Sequence, residues 1–367
     1  MLYLIPIEPL TERYTESWYR NIPELFNDIP TTVIDGQPLV EDDIKVGAFL
    51  DINSTVHYKM TQLQKISALF NKGMIKNGDV FFFYDMEFWG LESIRLMADM
   101  NKVSIKICAF LHAASYTKGD AFEIASPYQQ YTEIGWYKAV DRIFVGSEYH
   151  KNIFWERRVL PILGDEEFSN YCNKVIVTTN PIFEQDYCNT NISWGEKDNT
   201  VLLCNRLDKE KGVFDSLRTM ETLKREFPDW TFRVCTSRKT LRSNDPSIID
   251  YALQLQKRGI IDIRYGLSKK EYHEELRKAK FVISDSPEES FGICIAETLV
   301  YHGVPVLLYG ASHPEFRPYG AITFEKGLGD HVLYDLLKQN RHFTTYYDTY
   351  KGKYKLREHI RALVKGY

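Results

Sequence analysis

Short runs of aliphatic, β-branched and aromatic residues alternate along the chain with stretches whose apolar positions recur at helical spacing. The runs at residues 2–7, 45–50, 79–84, 104–111, 142–146 and 174–178 predict strands. Segments 13–26, 61–72, 91–101, 131–139 and 148–158 predict the helices between them. The rhythm restarts beyond Asn180-Pro181, with strands predicted at 200–204, 231–235, 261–265, 281–284 and 304–309. Such alternation predicts an α/β protein of two Rossmann-like halves, each built on a parallel sheet.

The length of 367 residues suits two domains, each large enough for its own core. Charged residues at 26% and hydrophobic ones at 44% place the chain among globular proteins and exclude intrinsic disorder. No stretch approaches the roughly 18 uncharged apolar residues of a membrane span. The opening Met1–Ile7 run meets Glu8 too soon for a signal-peptide core and has no basic flank, so it reads as a first strand. The expected location is the cytoplasm, without stable membrane association. The six cysteines (108, 172, 188, 204, 235, 294) form no Cys-x-x-Cys pair and are expected as buried, reduced thiols rather than a metal site or disulfide framework. The net charge of −4 is uneven: residues 1–180 carry −7 and residues 181–367 carry +3. Neither half is a polybasic tail.

Open parallel sheets bind ligands beyond the carboxyl ends of their strands. Three such ends in the first half carry reactive side chains: Glu8 after the first strand, Asp85 and Glu87 after Phe81–Tyr84, and His112 after Cys108–Leu111. Any one alone serves equally well as a helix cap or loop charge; their shared topological place sets them apart. In the second half, the 200–204 strand runs into Asn205-Arg206-Leu207 and then Lys211-Gly212 at an expected helix start. The arrangement aims two cations toward a diphosphate, the arginine as a planar fork and the lysine as a point charge. A second segment, 285–306, places Glu289 and Glu297 on either side of Phe291-Gly292, again at an expected helix start, before Gly303-Val-Pro-Val306. A glycine admits close approach to the backbone, unpaired N–H groups at a helix start attract anions, and carboxylates accept hydrogen bonds from sugar hydroxyls.

Together these segments resemble the signature of retaining glycosyltransferases of family 4 with the GT-B fold, Gly-Arg-Leu…Lys-Gly followed by Glu-x7-Glu. The two motifs sit about 80 residues apart here, as in that family. The resemblance covers most of residues 100–310. It implies two Rossmann-like domains facing a central cleft: an acceptor-side domain over 1–180, a nucleotide-sugar-binding domain over 181–345, and a C-terminal helix over 346–367 crossing back to the first. Carried over by position, Arg206 and Lys211 would hold the donor diphosphate together with the amides of Ser290, Phe291, Gly292 and Ile293. Glu289 would hold the transferred sugar, Glu297 the ribose, and Tyr265 and Leu267 would flank the nucleobase. His112 matches the family's histidine beside the sugar. The implied reaction is retaining transfer from a nucleoside diphosphate sugar, with UDP the expected nucleotide. The departing phosphate takes the acceptor proton, Asp85 or Glu87 can orient the acceptor, and neither metal nor cofactor is required.

Two departures bear on the acceptor. Asn205 replaces the family's glycine before the arginine, and the glycine-rich loop after the first strand is absent. Residues 6–19, which include Glu8, Arg13 and Trp18, instead resemble the opening of bacteriophage glycosyltransferases, some of which modify hydroxymethylated pyrimidines such as hydroxymethylcytosine in DNA. Aromatic residues near the strand ends (Tyr14, Trp18, Tyr19, Phe88, Trp89) are expected to stack on an extruded base, and the lysines and arginines of 351–365 to meet phosphate. Double-stranded phage DNA is therefore the leading acceptor. A soluble glycan or cell-surface precursor is the rival, followed by a nucleotide-sugar epimerase or a non-catalytic sugar-nucleotide binder.

Overall fold

The computed structural model describes residues 1–10, 13–39, 52–118, 123 and 127–366. The chain divides into two compact units, Met1–Phe183 together with Thr349–Tyr367, and Glu184–Asp348.

The first unit holds strands β1 (Leu2–Ile5), β2 (Thr31–Val33), β3 (Val80–Phe83), β4 (Lys106–Leu111), β5 (Arg142–Val145) and β6 (Val175–Val177). They pair in parallel in the order β2-β1-β3-β4-β5-β6. Around them lie α1 (Tyr14–Asn21), α2 (Ile52–Asn71), α3 (Leu91–Met100), α4 (Gln129–Ala139), α5 (Glu148–Phe154), α6 (Leu160–Leu163) and α7 (Phe168–Lys174). Successive strand residues face opposite sides, and both sides are covered, which is why the strands read as unbroken apolar runs. Tyr3, Ile5, Phe81, Phe83, Ile107 and Ala109 pack under one layer with Ile66, Ile94 and Ile134. Leu2, Leu4, Phe82, Cys108 and Phe110 pack on the other with Trp18, Ile22 and Phe26.

The expected strand at 45–50 lies outside the described residues. The helix expected over 13–26 breaks instead: Pro23 has no N–H to continue the ladder, so α1 ends at Asn21 and a single 3₁₀ turn, Pro23–Phe26, follows. The edge strand β2 has only three residues, two of them exposed, too few for the alternation to show.

The second unit repeats the plan with β7 (Asp198–Leu203), β8 (Thr231–Cys235), β9 (Asp262–Arg264), β10 (Ala279–Ser284), β11 (Val304–Leu308) and β12 (Ile322–Phe324). All are parallel, in the order β12-β11-β10-β7-β8-β9. Counted from β7, this is the Rossmann order 3-2-1-4-5-6, whose switch point lies between β7 and β10. Its helices are α8 (Val213–Glu226), α9 (Pro246–Lys257), α10 (Lys269–Lys278), α11 (Ile293–Val300) and α12 (Gly329–Gln339).

A final helix, α13 (Thr349–Lys365), returns to the first unit. Leu356 and Ile360 bury fully in the layer that holds Trp18 and Phe144, and Arg357 donates to the Leu25 carbonyl at 2.7 Å. Gly352 lies so near residues 179–180 that a Cβ there would fall 2.5 Å from Thr179 Oγ1.

Candidate active site

The switch point of the second unit brings both sequence motifs together. The segment leaving β7 makes a 3₁₀ turn, Lys209–Lys211, and enters α8 through Gly212 at φ 63°. The segment leaving β10 enters α11 through Gly292 at φ 91°. Both glycines adopt the left-handed backbone that residues with a Cβ avoid, and a Cβ on Gly212 would lie 2.1 Å from the Asp285 carbonyl oxygen. The two segments therefore cross in contact. Lys211 Nζ donates to Glu289 Oε2 at 3.0 Å and to the Glu288 carbonyl at 3.2 Å. Asn205, standing where the family has glycine, donates from Nδ2 to Ser284 Oγ at 2.7 Å, and the Cys294 thiol approaches Asn205 Oδ1 at 3.8 Å. Its amide thus ties the end of β7 to the end of β10 and the first turn of α11.

Burial works against the Glu289 carboxylate, yet Lys211, His313 and Arg206 together hold it below its ordinary range. Asp285 is different. Burial pushes it up to about 6, against the Ser216 hydroxyl that donates to Oδ2 at 2.6 Å and helped by neighbouring Asp215. The helical ladder of α11 starts with Ile295 and Ala296 N–H on the Gly292 carbonyl, so the Ile293 and Cys294 amides stand ahead of it. Arg206 modifies the expectation of two cations turned to one anion. Its guanidinium pairs with Asp208 at 3.0 Å and Glu210 at 3.5 Å.

Glu297 lies on α11, buried among side chains that no motif announced. Tyr187 and Tyr272 hydroxyls donate to it at 3.4 and 3.2 Å, and His273 Nε2 lies 3.5 Å away. Burial again opposes its charge, but His273, Lys269 and Tyr272 outweigh it and keep the carboxylate below its usual range. Tyr265 is exposed, with its hydroxyl on Gln256 Oε1 at 3.1 Å. Leu267, expected beside the nucleobase, packs its side chain into the core with Leu202, Cys235 and Leu276. Ser312 was also missed: its N–H donates to the Glu289 carbonyl at 3.2 Å and its hydroxyl to the Phe291 carbonyl at 3.0 Å, bracing the Glu289–Phe291 turn.

In the first unit, Glu8, Asp85 with Glu87, and His112 follow β1, β3 and β4, three adjacent strands. Helix α2 engages the first two positions. Ser54 and Thr55 hydroxyls donate to Glu8 at 2.8 and 3.4 Å. Lys59 donates to Asp85 Oδ2 at 2.5 Å and to the Glu87 carbonyl. The Glu87 N–H reaches Asp85 Oδ1 at 3.1 Å, so both Asp85 oxygens have internal partners. Burial opposes the Asp85 charge, while Lys59 and His112 keep its carboxyl below the ordinary range. His112 Nε2 faces the Tyr84 carbonyl at 2.8 Å, and since a carbonyl only accepts, Nε2 carries the proton and Nδ1 does not. Burial depresses His112 below its usual value, partly offset by Asp85.

Trp18 is a correction. Expected to stack on a base, it is 1% exposed, wedged edge-on against Phe110 at 4.9 Å with its indole N–H on the Pro181 carbonyl. Phe88 is equally buried. Trp89 is half-buried, edge-on to Trp136 at 6.0 Å, with the Lys59 ammonium 5.2 Å from its ring centre. Arg13 is half-buried and immediately precedes α1. Within the basic set of α13, Arg357 and Arg361 both pair with Asp28, at 3.1 and 2.9 Å. The cysteines also differ from expectation: all six are free thiols, but Cys172 and Cys188 are exposed. Among the described residues no group of three or more His, Cys, Asp or Glu side chains is placed to hold a metal ion, and no helix is long and apolar enough to cross a membrane.

Residues 190–314 match the family model described as "Glycosyl transferases group 1". No curated protein matches the chain by sequence. Among solved structures, the chain is similar to Anabaena Alr3699/HepE in complex with UDP and glucose, at 12% identity and a TM-score of 0.62, covering 98% of this chain and 99% of that one. It is also similar to the lipopolysaccharide outer core galactosyltransferase WaaB, at 12% identity and 0.59, covering 98% and 100%. A third is the α,α-trehalose 6-phosphate synthase of Burkholderia multivorans, at 12% and 0.57, covering 100% and 95%. The chain spans 59% of the length of the pneumococcal O-GlcNAc transferase GtfA, at 13% identity. These likenesses establish the GT-B fold, and residues 190–314 within it match a glycosyltransferase domain.

Proposed function

We propose that this chain transfers a sugar from a UDP-sugar to an acceptor hydroxyl with retention of anomeric configuration, as the family 4 signature implies. The observation that carries the reading is the Lys211–Glu289 contact at the β7/β10 switch point, where an open α/β sheet binds its ligand. Cleavage of the sugar–phosphate bond leaves negative charge on the departing diphosphate. A fixed ammonium and the α11 amides stabilise that charge more in the transition state than in the ground state. On this reading Lys211 exchanges its carboxylate for phosphate, freeing Glu289 to accept hydrogen bonds from the transferred sugar. Ribose hydroxyls take the place of the long Tyr187 and Tyr272 contacts on Glu297. The phosphate charge is met by Lys211 and Arg206, without a metal.

His112, its Nε2–H committed to the Tyr84 carbonyl, presents Nδ1 as an acceptor for a sugar hydroxyl. The acceptor proton passes to the departing phosphate. For the acceptor we retain hydroxymethylated DNA, supported by the resemblance of residues 6–19, with Trp89 in place of the buried Trp18 beside the reacting base. The test incubates the enzyme with a panel of UDP-sugars and hydroxymethylcytosine-containing DNA, followed by nucleoside digestion and mass analysis. A hexose- or pentose-sized mass increase on the modified nucleoside supports the reading. Release of UDP with sugar found only on an added oligosaccharide selects the glycan alternative, and donor conversion without any acceptor selects the epimerase.

A further inference from the structure

We infer that His313 is a positioning residue and the reserve partner of Glu289: when Lys211 leaves the carboxylate for the donor diphosphate, the His313 ring takes a proton on Nε2 and supplies the charge that the ammonium withdrew. The inference rests on the donor-site reading for its trigger, while its evidence lies in the turn that follows β11. His313 opens a 3₁₀ segment, His313–Tyr319, and is fully buried. Its Nδ1 faces the Leu308 carbonyl at 2.7 Å. A carbonyl only accepts, so Nδ1 carries the proton and Nε2 keeps the lone pair of the neutral ring. That Nε2 is buried without a hydrogen-bond partner among the described residues. A buried acceptor left unpaired is costly, and the contact to Leu308 gives no reason for it.

The turn is built against Glu289. Gly310 lies at φ 138° and Ala311 at φ 48°, the latter a left-handed conformation that a residue with a Cβ adopts at a cost. The bend brings the Ser312 N–H to the Glu289 carbonyl at 3.2 Å, with His313 next in the chain. Two charges act on its ring: the Lys211 ammonium, from the turn before α8, and the Glu289 carboxylate, from the segment between β10 and α11. Its own segment carries Glu315 and the exposed Arg317. Burial holds His313 below its ordinary range and Lys211 adds to that, while the Leu308 carbonyl and Glu289 work the other way. Departure of Lys211 tips this balance, because it removes the cation that opposes protonation and leaves a half-buried carboxylate without a counter-charge. Sugar hydroxyls lend that carboxylate hydrogen bonds but no charge. The proton comes from solvent and forms one N–H bond on the Nε2 lone pair, and no bond in the enzyme breaks. The complex with donor therefore holds one proton more than its separate components.

The test titrates the full chain, labelled with ¹³C at the histidine rings, by NMR, and so does not depend on sugar transfer. His313→Asn, whose side-chain amide can still donate to the Leu308 carbonyl, identifies the His313 signal by its disappearance. In Lys211→Met the His313 midpoint should rise by about one pH unit or more, and adding Glu289→Gln should bring it down again. A merely structural histidine would keep one midpoint throughout. The other histidine signals, unmoved, show that each variant is folded. UDP added to the wild type should shift the His313 signal in the same direction as Lys211→Met. A His313 midpoint that does not rise in Lys211→Met, or that rises equally with Glu289→Gln present, overturns the inference. A rise that depends on Glu289 upholds His313 as its reserve partner even if UDP leaves the wild-type signal in place, a result that would count against the diphosphate role of Lys211 alone.

Discussion

Lys211 Nζ and Glu289 Oε2 stand 3.0 Å apart although 78 positions separate them, and this contact joins the two segments that follow β7 and β10. Neither helix alone could place both groups there. The pair forms because the Rossmann strand order sets β7 beside β10 and because Gly212 lets the first segment pass against the Asp285 carbonyl.

Lys211→Ala is expected to cut turnover by about two to three orders of magnitude, the cost of losing a fixed donor to a developing anion. Arg206→Ala, whose guanidinium is shared with Asp208 and Glu210, should cost about one order or more. Steady-state kinetics with a UDP-sugar, alongside thermal melts within a few degrees of wild type, check both. Near-normal turnover in both variants refutes the diphosphate assignment.

Glu297→Ala should weaken UDP binding, and Glu289→Ala should spare it while lowering the rate of sugar transfer. Contacts to ribose persist from ground state to transition state, whereas contacts to the transferring sugar change as its bond breaks. Calorimetric titration of UDP separates the two. Unchanged UDP affinity in Glu297→Ala removes the ribose role and leaves Glu297 as the buried partner of Tyr187 and Tyr272.

Asp285 predicts a pH dependence of stability. Its carboxyl titrates near 6 when folded and near 3.8 when unfolded, so between these values the folded state binds more protons. Stability is lost as pH rises through that window, and the loss is complete above it. Asp285→Asn, which keeps an acceptor for the Ser216 hydroxyl, should exceed wild type by up to about 3 kcal/mol at pH 7.5, shrinking to roughly half at pH 5. Urea melts of both proteins at the two pH values measure the difference, and a gap that grows toward pH 5 refutes it.

Lys59→Met leaves the Asp85 carboxylate buried without its cation and should destabilise the first unit by about 3–5 kcal/mol. Adding Asp85→Asn should restore much of that loss, because the uncompensated charge is gone. Two additive losses in a double-mutant cycle would show that the pair does not act as a unit.

Transfer should persist in EDTA, because the diphosphate charge is assigned to Lys211, Arg206 and the α11 amides. Abolition by EDTA with recovery on adding Mg²⁺ or Mn²⁺ would show that a cation shares that task.

Alternation of apolar and helical-period segments was enough to determine two parallel α/β units, since strands covered on both faces must read as apolar runs such as Val80–Phe83 and Ala279–Ser284. The positions just beyond strand ends were legible for the same reason: Glu8, Asp85, His112, Arg206 and Glu289 each follow a run that could only be a strand. What surrounds those groups was not, because ion pairs and hydrogen bonds between distant segments leave no periodic trace. Lys59 reaches Asp85 from α2, Tyr187 and Tyr272 close on Glu297 from separate elements, and Ser312 braces the Glu289 turn. Trp18 shows the same limit from the other side. Its sequence neighbours place it near a strand end, and only the layer formed by Phe110, Leu356 and Ile360, two of them contributed by a helix more than 300 residues away, decides that it is core. Local pattern specifies which face of an element is apolar, whereas tertiary packing decides what that face meets.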